Sequence, residues 1–381
     1  MNRDMFLLRP EITFLNHGSF GACPRPVFQF YQDLQRELEG QPVEFLGREL
    51  AGRLATARTI LGQYVGAHGD DLVFVPNATT GLNIVARSLD LQPGDEILST
   101  DQEYGALDRT WRFLEKKKGL RYIRREIPLP LTDPQQVVEA VWNGRTANTK
   151  VLFLSHITSP TALIFPVQEL VDLARAEGII TIIDGAHVPG QMDLNLDQLG
   201  ADFYSGNCHK WLMAPKGAAF LHARRAMQHL VEPLVVSWGY ESLEPGPSPF
   251  IDQQEWTGTR DPSAWLTVPR AIAFQQENSW DAERTRCHAM ILEAHARITA
   301  LTGQQPICPA SDTWFRQMAA LPLPPGTDIN RLKTELYTQF QVEIPVLECG
   351  PRCYIRPSAQ GYNQPQDYDR LLEGLEALLG T

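Results

Sequence analysis

Residues 178–190 read "GIITIIDGAHVPG", and the fold turns on how that run is taken. From Ile179 to Ile183 the side chains are apolar or β-branched, with no alternation of polar and apolar positions. Such a run fits a strand covered on both faces of a mostly parallel sheet. It ends on Asp184, and Pro189 and Gly190 then mark a turn. Working outward, "DLVFV" (71–75), "EILST" (96–100), "KVLFLS" (150–155), "ADFYS" (201–205) and "AAFLH" (218–222) have the same character. Between them lie helical patterns. "TTGLNIVARSL" (79–89) gathers Leu82, Val85, Ala86 and Leu89 on one face, with Asn77 or Thr79 as cap. "VQELVDLARAEG" (167–178) does so with Leu170, Leu173 and Ala174 and stops at Gly178. Repeated strand, helix, strand predicts an α/β fold with a mostly parallel central sheet flanked by helices. Ligands of such sheets gather at the carboxyl ends of the strands.

Length and charge narrow the function. A chain of 381 residues exceeds what one core usually serves, so one large domain plus a smaller one, or two comparable ones, is expected. Beyond "WTGTRDPSAWLTVPRAIAF" (256–274) the pattern changes to a long helical stretch, 279–303, and a mixed region that ends in a leucine-striped helix, 365–380. This is taken as the smaller α/β domain. The 34 Lys and Arg against 45 Asp and Glu leave a net charge of -11 with no basic block, which argues against a nucleic-acid or anionic-membrane partner. No apolar run approaches membrane-spanning or signal-peptide length, so a soluble, cytoplasmic protein acting on a small molecule is expected. The six cysteines are scattered, and Cys349 and Cys353 have no second pair at zinc spacing; reduced thiols and no metal follow.

Three features carry chemistry. Asp184 stands at a strand end, where it is either a turn-forming residue or a buried carboxylate in need of a cationic partner. "VFVPNATTGLN" (73–83) leaves a strand through small polar residues into a helix, a plain cap or an anion site built from backbone N–H groups and the hydroxyls of Thr79 and Thr80. "YSGNCHK" (204–210) places Ser205, Asn207 and His209 around Lys210, whereas Lys216 sits in the turn-like "APKGAAF". A strand-end Asp, a lysine 26 residues later and an anion-binding helix start together suit pyridoxal 5'-phosphate, which has a basic ring nitrogen, an aldehyde and a phosphate. No Walker loop and no GxGxxG turn is present; a nicotinamide-dependent oxidoreductase, the alternative that shares this architecture, needs such a glycine-rich turn. A catalytically silent binding protein on this fold is expected to lack the lysine or the aspartate, and both are present.

The combination "DGAH", "GNCHKWLMAPKG", "WTGTRDPSAWL" and "IRPSAQGYN" resembles the class V aminotransferase-type enzymes of fold type I, in the isopenicillin N epimerase-like branch and more distantly the cysteine desulfurases. The resemblance runs from "FLNHGSFGACPRPV" (14–27) to the C-terminal helix. It implies an N-terminal segment, 1–20, that contributes to the site, a large pyridoxal-phosphate-binding domain, 21–265, and a small domain, 266–381. It implies a Schiff base on Lys210, a pairing of Asp184 with the pyridinium nitrogen, and His187 at the phenolic oxygen with Thr158 or Ser159 nearby. Ala78, Thr79 and Thr80, joined by Asn207 and His209, would hold the phosphate, and Tyr104 would stack on the ring. Family members are dimers with shared sites, and Gly258 and Thr259 match a phosphate contact supplied by the neighbour. Arg356 matches the clamp on the substrate α-carboxylate, and Asn16 and His17 fall in the substrate-binding N-terminal segment.

One departure bears on the reaction. Desulfurases carry a persulfide-forming cysteine on a mobile loop well before the carboxylate-binding arginine, but Cys349 and Cys353 lie seven and three residues before Arg356. Desulfurase activity is therefore disfavoured. The expected chemistry is proton abstraction at Cα by Lys210, helped electrostatically by Asp184. Epimerisation ranks first, β-eliminating C–S lyase activity second, and transamination third.

Overall fold

The computed structural model describes residues 3–380; Met1, Asn2 and Thr381, at the ends of the expected N-terminal segment and small domain, lie outside the described residues. A two-residue strand, β1 (Thr13–Phe14), precedes the central sheet. That sheet comprises β2 (Leu72–Val75), β3 (Glu96–Thr100), β4 (Arg121–Arg125), β5 (Thr149–Ser155), β6 (Ile180–Asp184), β7 (Phe203–Asn207) and β8 (Ala219–Ala223). Their lateral order is β2-β8-β7-β6-β5-β3-β4, and β8 alone runs antiparallel to its neighbours. Six of the seven strands thus point their carboxyl ends the same way.

The uninterrupted apolar runs have a simple cause. Successive residues of β5 and β6 enter different cores: Leu152, Leu154 and Ile183 pack on one side of the sheet, Val151, Phe153 and Ile182 on the other. All six are 0% exposed. Each contributes about 1.5–3 kcal/mol by burial, so the sheet is a stiff platform. β4 is the strand that the apolar pattern misses. Its sequence, "RYIRR", is an edge strand with one buried residue, and charge on an edge is what keeps it from pairing with another chain.

The C-terminal region adds β9 (Leu321–Pro322), β10 (Val342–Glu343), β11 (Val346–Cys349) and β12 (Arg352–Ile355). β11, β12 and β9 make an antiparallel sheet, while β10 pairs in parallel with β1. That pairing draws the N-terminal segment onto the C-terminal region, and the Ser358 hydroxyl accepts from the His17 N–H at 2.7 Å. The helices Trp280–Thr302 and Pro365–Leu379 cover this region, the latter opened by a capping box between Gln364 and Asp367. Among the described residues, no helix is long and apolar enough to cross a membrane.

Candidate active site

The carboxyl ends of β2, β3, β5, β6 and β7 open on a cavity of about 500 Å3. Asp184 closes β6, Asn207 closes β7, and Lys210 follows on a tight segment after β7. The N-terminal segment presses on that segment from outside. Gly21 has φ 72, and a Cβ there would fall 2.2 Å from the His209 carbonyl, so only glycine permits this approach.

Lys210 Nζ lies 3.0 Å from His187 Nε2. Burial brings its amine down to about 7, with Asp184 opposing and Arg356 reinforcing the shift. An amine poised there is a nucleophile at neutral pH. Asp184 Oδ1 accepts from the Ala186 N–H at 2.9 Å, and its carboxyl faces the cavity. Burial raises its pKa, against the Ala186 hydrogen bond and the Lys210 charge. Such a carboxylate gains from a cationic partner. Lys210 and Asp184 act on each other electrostatically without forming a salt bridge among the described residues.

At the helix Ala78–Ser88, Asn77 is the cap: its Oδ1 accepts from the Thr80 N–H at 2.8 Å and from the Thr80 hydroxyl at 3.1 Å. The Ala78 N–H donates to Asn207 Oδ1 at 2.9 Å, so Ala78 and Asn207 hold each other. What this turn leaves for an anion, among the described residues, is the Thr79 N–H and hydroxyl. His209 also lines the cavity. Its Nδ1 donates to the Ala218 carbonyl at 2.9 Å, which turns the Nε2 lone pair outward; burial lowers its pKa to about 4. It gives a hydrogen bond to an anion only after taking up a proton.

Tyr104 follows β3 at the cavity rim, 44% exposed and with an open face. A second chamber of about 590 Å3 shares Ser19, Phe20, Tyr104 and Ser159 with the first and adds Asn16, Arg356 and Lys333. Arg356 is 5% exposed and has no carboxylate partner among the described residues. Its Nη1 bonds to the Ser159 carbonyl and hydroxyl, and burial lowers its pKa to about 10. A desolvated guanidinium of this kind gains from pairing with a carboxylate. Asn16 is held by Glu343, through Nδ2 and Oε1 at 2.9 Å. A larger cavity, about 760 Å3 beside Tyr64, lies elsewhere, and its Arg284 is already paired with Asp193 and Asp281.

Several expected residues stand apart from the cavity. His17 is fully enclosed behind Lys210, its ring nitrogens engaged by the Tyr362 hydroxyl at 3.1 Å and the Lys210 carbonyl at 3.0 Å. Thr158 is turned into its own loop, bonded to Thr161 at 2.8 Å and to the Leu163 N–H at 2.9 Å. Ser205 donates across the sheet to the Phe220 carbonyl because its side chain alternates away from the site. Gly258 and Thr259 line neither chamber of this chain. Lys216 is a clamp, donating to the Gly21 carbonyl at 2.9 Å. Two neighbours of the site escaped the motif reading. Trp211, next to Lys210, donates its indole N–H to His187 Nδ1 at 3.3 Å. Glu103, next to Tyr104, is buried and accepts from Ser155 and Thr100 at 2.6 and 2.7 Å. Their only signal was adjacency to residues already singled out.

Taken together, these groups fit a ligand that brings an aldehyde to Lys210, a protonated ring nitrogen to Asp184 and an anion to Thr79, with room beside Arg356 for a carboxylate. Comparison with known proteins points the same way. Residues 20–371 match the family model described as "Aminotransferase class-V". Isopenicillin N epimerase of Streptomyces clavuligerus is 36% identical over 388 residues, covering 99% of this chain and 98% of that protein. The probable chloroplastic L-cysteine desulfhydrase of Arabidopsis thaliana is 30% identical, over 97% of this chain and 83% of that protein. A solved structure of C-DES, with glycine covalently linked to its PLP cofactor, superposes with a TM-score of 0.84 at 20% identity, over 99% of this chain and 100% of that one.

Proposed function

Since the chain belongs to the class-V aminotransferase family, we propose that it is a pyridoxal-phosphate enzyme working at the Cα of an amino-acid substrate, by epimerisation. The observation that carries this reading is the Lys210 amine, brought down to about 7 by burial, set between the Asp184 carboxyl and the Arg356 guanidinium in connected chambers, neither of which has an ion-pair partner within hydrogen-bond reach among the described residues. Residues 21–265 would carry the cofactor and residues 266–381 the arginine. Lys210 would hold the aldehyde carbon, Asp184 the ring nitrogen and His187 the phenolic oxygen, with Ser159 alongside. Thr79 and a protonated His209 would hold the phosphate, Thr80 and Asn207 would brace that helix start, and the Tyr104 ring would cover the face. The chemistry the group supplies when bound is an electron sink for negative charge at Cα.

The chain's own residues do the rest. Arg356 would bind the α-carboxylate through its fork, which fixes the Cα–H bond relative to Lys210. Lys210, as a free amine, would take the Cα proton, and Asp184 would keep the ring nitrogen protonated by its charge. Return of a proton on the opposite face inverts the centre. The chamber of about 590 Å3 leaves space for a side chain much larger than that of cysteine, and the 36% identity to an isopenicillin N epimerase supports epimerisation over elimination. Val236, Trp238 and Leu243 are 67, 83 and 98% exposed, and Gly258 and Thr259 line neither chamber of this chain. Both facts support a homodimer in which each protomer lends these two residues to the other site.

The test is incubation with a panel of amino acids in heavy water. Deuterium at Cα with inversion is the expected result. Pyruvate and ammonia from cysteine would replace it with β-elimination, and a chain that gains no borohydride-sensitive visible band on adding pyridoxal phosphate would refute the cofactor itself.

A further inference from the structure

We propose that Trp211 is a positioning residue that delivers the Lys210 amine uncharged, by fixing which nitrogen of His187 carries the proton. An indole N–H donates and cannot accept. It lies 3.3 Å from His187 Nδ1, so that nitrogen presents its lone pair. The buried imidazole is neutral, and its single proton therefore sits on Nε2. Nε2 in turn lies 3.0 Å from Lys210 Nζ. With Nε2–H as the donor, Nζ must accept, and only the amine has a lone pair to offer. An ammonium at Lys210 would set two protons against each other. The imidazole would have to change tautomer, and Nδ1–H would then oppose the indole N–H. Either way one hydrogen bond is lost, so the indole biases the lysine toward its reactive form.

The arrangement is held rigidly enough to act as a relay. Trp211 is 0% exposed, and its carbonyl accepts from Gln275 at 3.0 Å. Gly190 packs so closely on its backbone that a Cβ there would fall 2.3 Å from the Trp211 carbonyl carbon. The His187 carbonyl accepts from Gln191 at 2.7 Å. Around the pair stand Asp184 at the end of β6, Arg356 beyond β12, His17 from the N-terminal turn, and His209 and Lys216 on the lysine's own segment. Asp184 favours the charged amine and Arg356 the free one. Among the described residues the one hydrogen bond of Nζ is to His187.

The inference deepens the proposed role of Lys210 and rests on it, so its test is made on the full chain stripped of cofactor, where it fails separately. Acylation of Lys210 by acetic anhydride is followed against pH by peptide mass spectrometry. The wild-type midpoint is expected near 7. Trp211→Phe should raise it by about one unit, roughly a tenfold loss of free amine below the midpoint. In a His187→Phe background, the same substitution should leave the midpoint unmoved, since the relay is already broken. Lys216, labelled in the same digest, reports that the fold is kept. An equal rise in both backgrounds, or no rise in either, would overturn the proposal. If Trp211→Phe does not fold, histidine nitrogen shifts of the wild type decide: an Nε2–H tautomer for His187, assigned by its loss in His187→Phe, supports the relay, and an Nδ1–H tautomer refutes it.

Discussion

The candidate site has two walls of different construction. One is the carboxyl edge of the central sheet, where Asp184, His187, Asn207 and Lys210 project from strands whose side chains fill two cores. The other is assembled from chain ends: Asn16 to Phe20 and the segment around Arg356, joined by the β1–β10 pair and the His17–Ser358 hydrogen bond. The sheet wall is positioned by burial, which is strong and local in sequence. The far wall is positioned by contacts between residues more than 300 apart. Chemistry is proposed for the first and substrate capture for the second. Substitutions in the two should then fail in different kinetic terms.

Lys210 gives the largest break. Lys210→Ala should remove the borohydride-sensitive band and lower turnover by at least roughly 10³-fold, within the range lost with an acid–base group. Lys216→Ala should keep the band, because among the described residues its ammonium donates its one hydrogen bond to the Gly21 carbonyl, outside the cavity. Absorbance before and after borohydride checks both, and a band that survives in Lys210→Ala would move the chemistry off the sheet wall.

Arg356 sharpens the contrast from the other side. Arg356→Met removes a buried charge that the substrate carboxylate would pair with, and truncating one member of such a pair costs about 2–5 kcal/mol. KM should rise by roughly 30- to 1,000-fold or more, while the visible band stays. Stability should move the opposite way. Without substrate the guanidinium is buried with no carboxylate partner among the described residues, so an apolar residue of similar size should leave the free protein as stable or more so. Steady-state kinetics and thermal melts read the two effects, and a marked drop in Tm would show that Arg356 is structural.

The difference between the walls also explains what could be read from sequence. The strands of the sheet wall were visible because residues buried on both faces leave an unbroken apolar run, and "ITIID" ends on the aspartate that lines the cavity. β4 was not visible, since an edge strand of three arginines carries no such run. The candidate residues with chain neighbours in a motif were found together: Asp184 with His187, Asn207 with His209 and Lys210. Direction was harder. Ser205 alternates into the sheet, and Thr158 and His17 spend their polar atoms on their own surroundings, none of which residue type announces. The far wall was legible only through the family resemblance, because no local period encodes a contact between His17 and Ser358. Trp211 and Glu103 were missed although both sit beside named residues, since a buried indole or carboxyl acquires its role from the partner it faces.

Glu103 belongs to both walls and gives the smallest expected effect. It lines the second chamber, yet its carboxyl is held by Ser155 at the end of β5 and by Thr100 at the end of β3. Burial pushes it up to about 8, the two hydroxyl donors opposing and the Asp184 charge adding to the rise. For an acid whose pKa is higher folded than unfolded, the unfolded chain releases its proton first. The stabilisation is complete below pH 4.5, the unfolded value, and drains away as pH rises to about 8. Glu103→Gln keeps the shape and has no proton to lose. It should melt with the wild type near pH 4.5 and at a higher temperature near pH 9, by a few kcal/mol at most, since a polar network of this kind relaxes. Thermal melts of the cofactor-free chain across that range check it. Curves that stay parallel at all pH values would mean that Glu103 ionises freely, and that the sheet wall is wetter beneath Tyr104 than its packing implies.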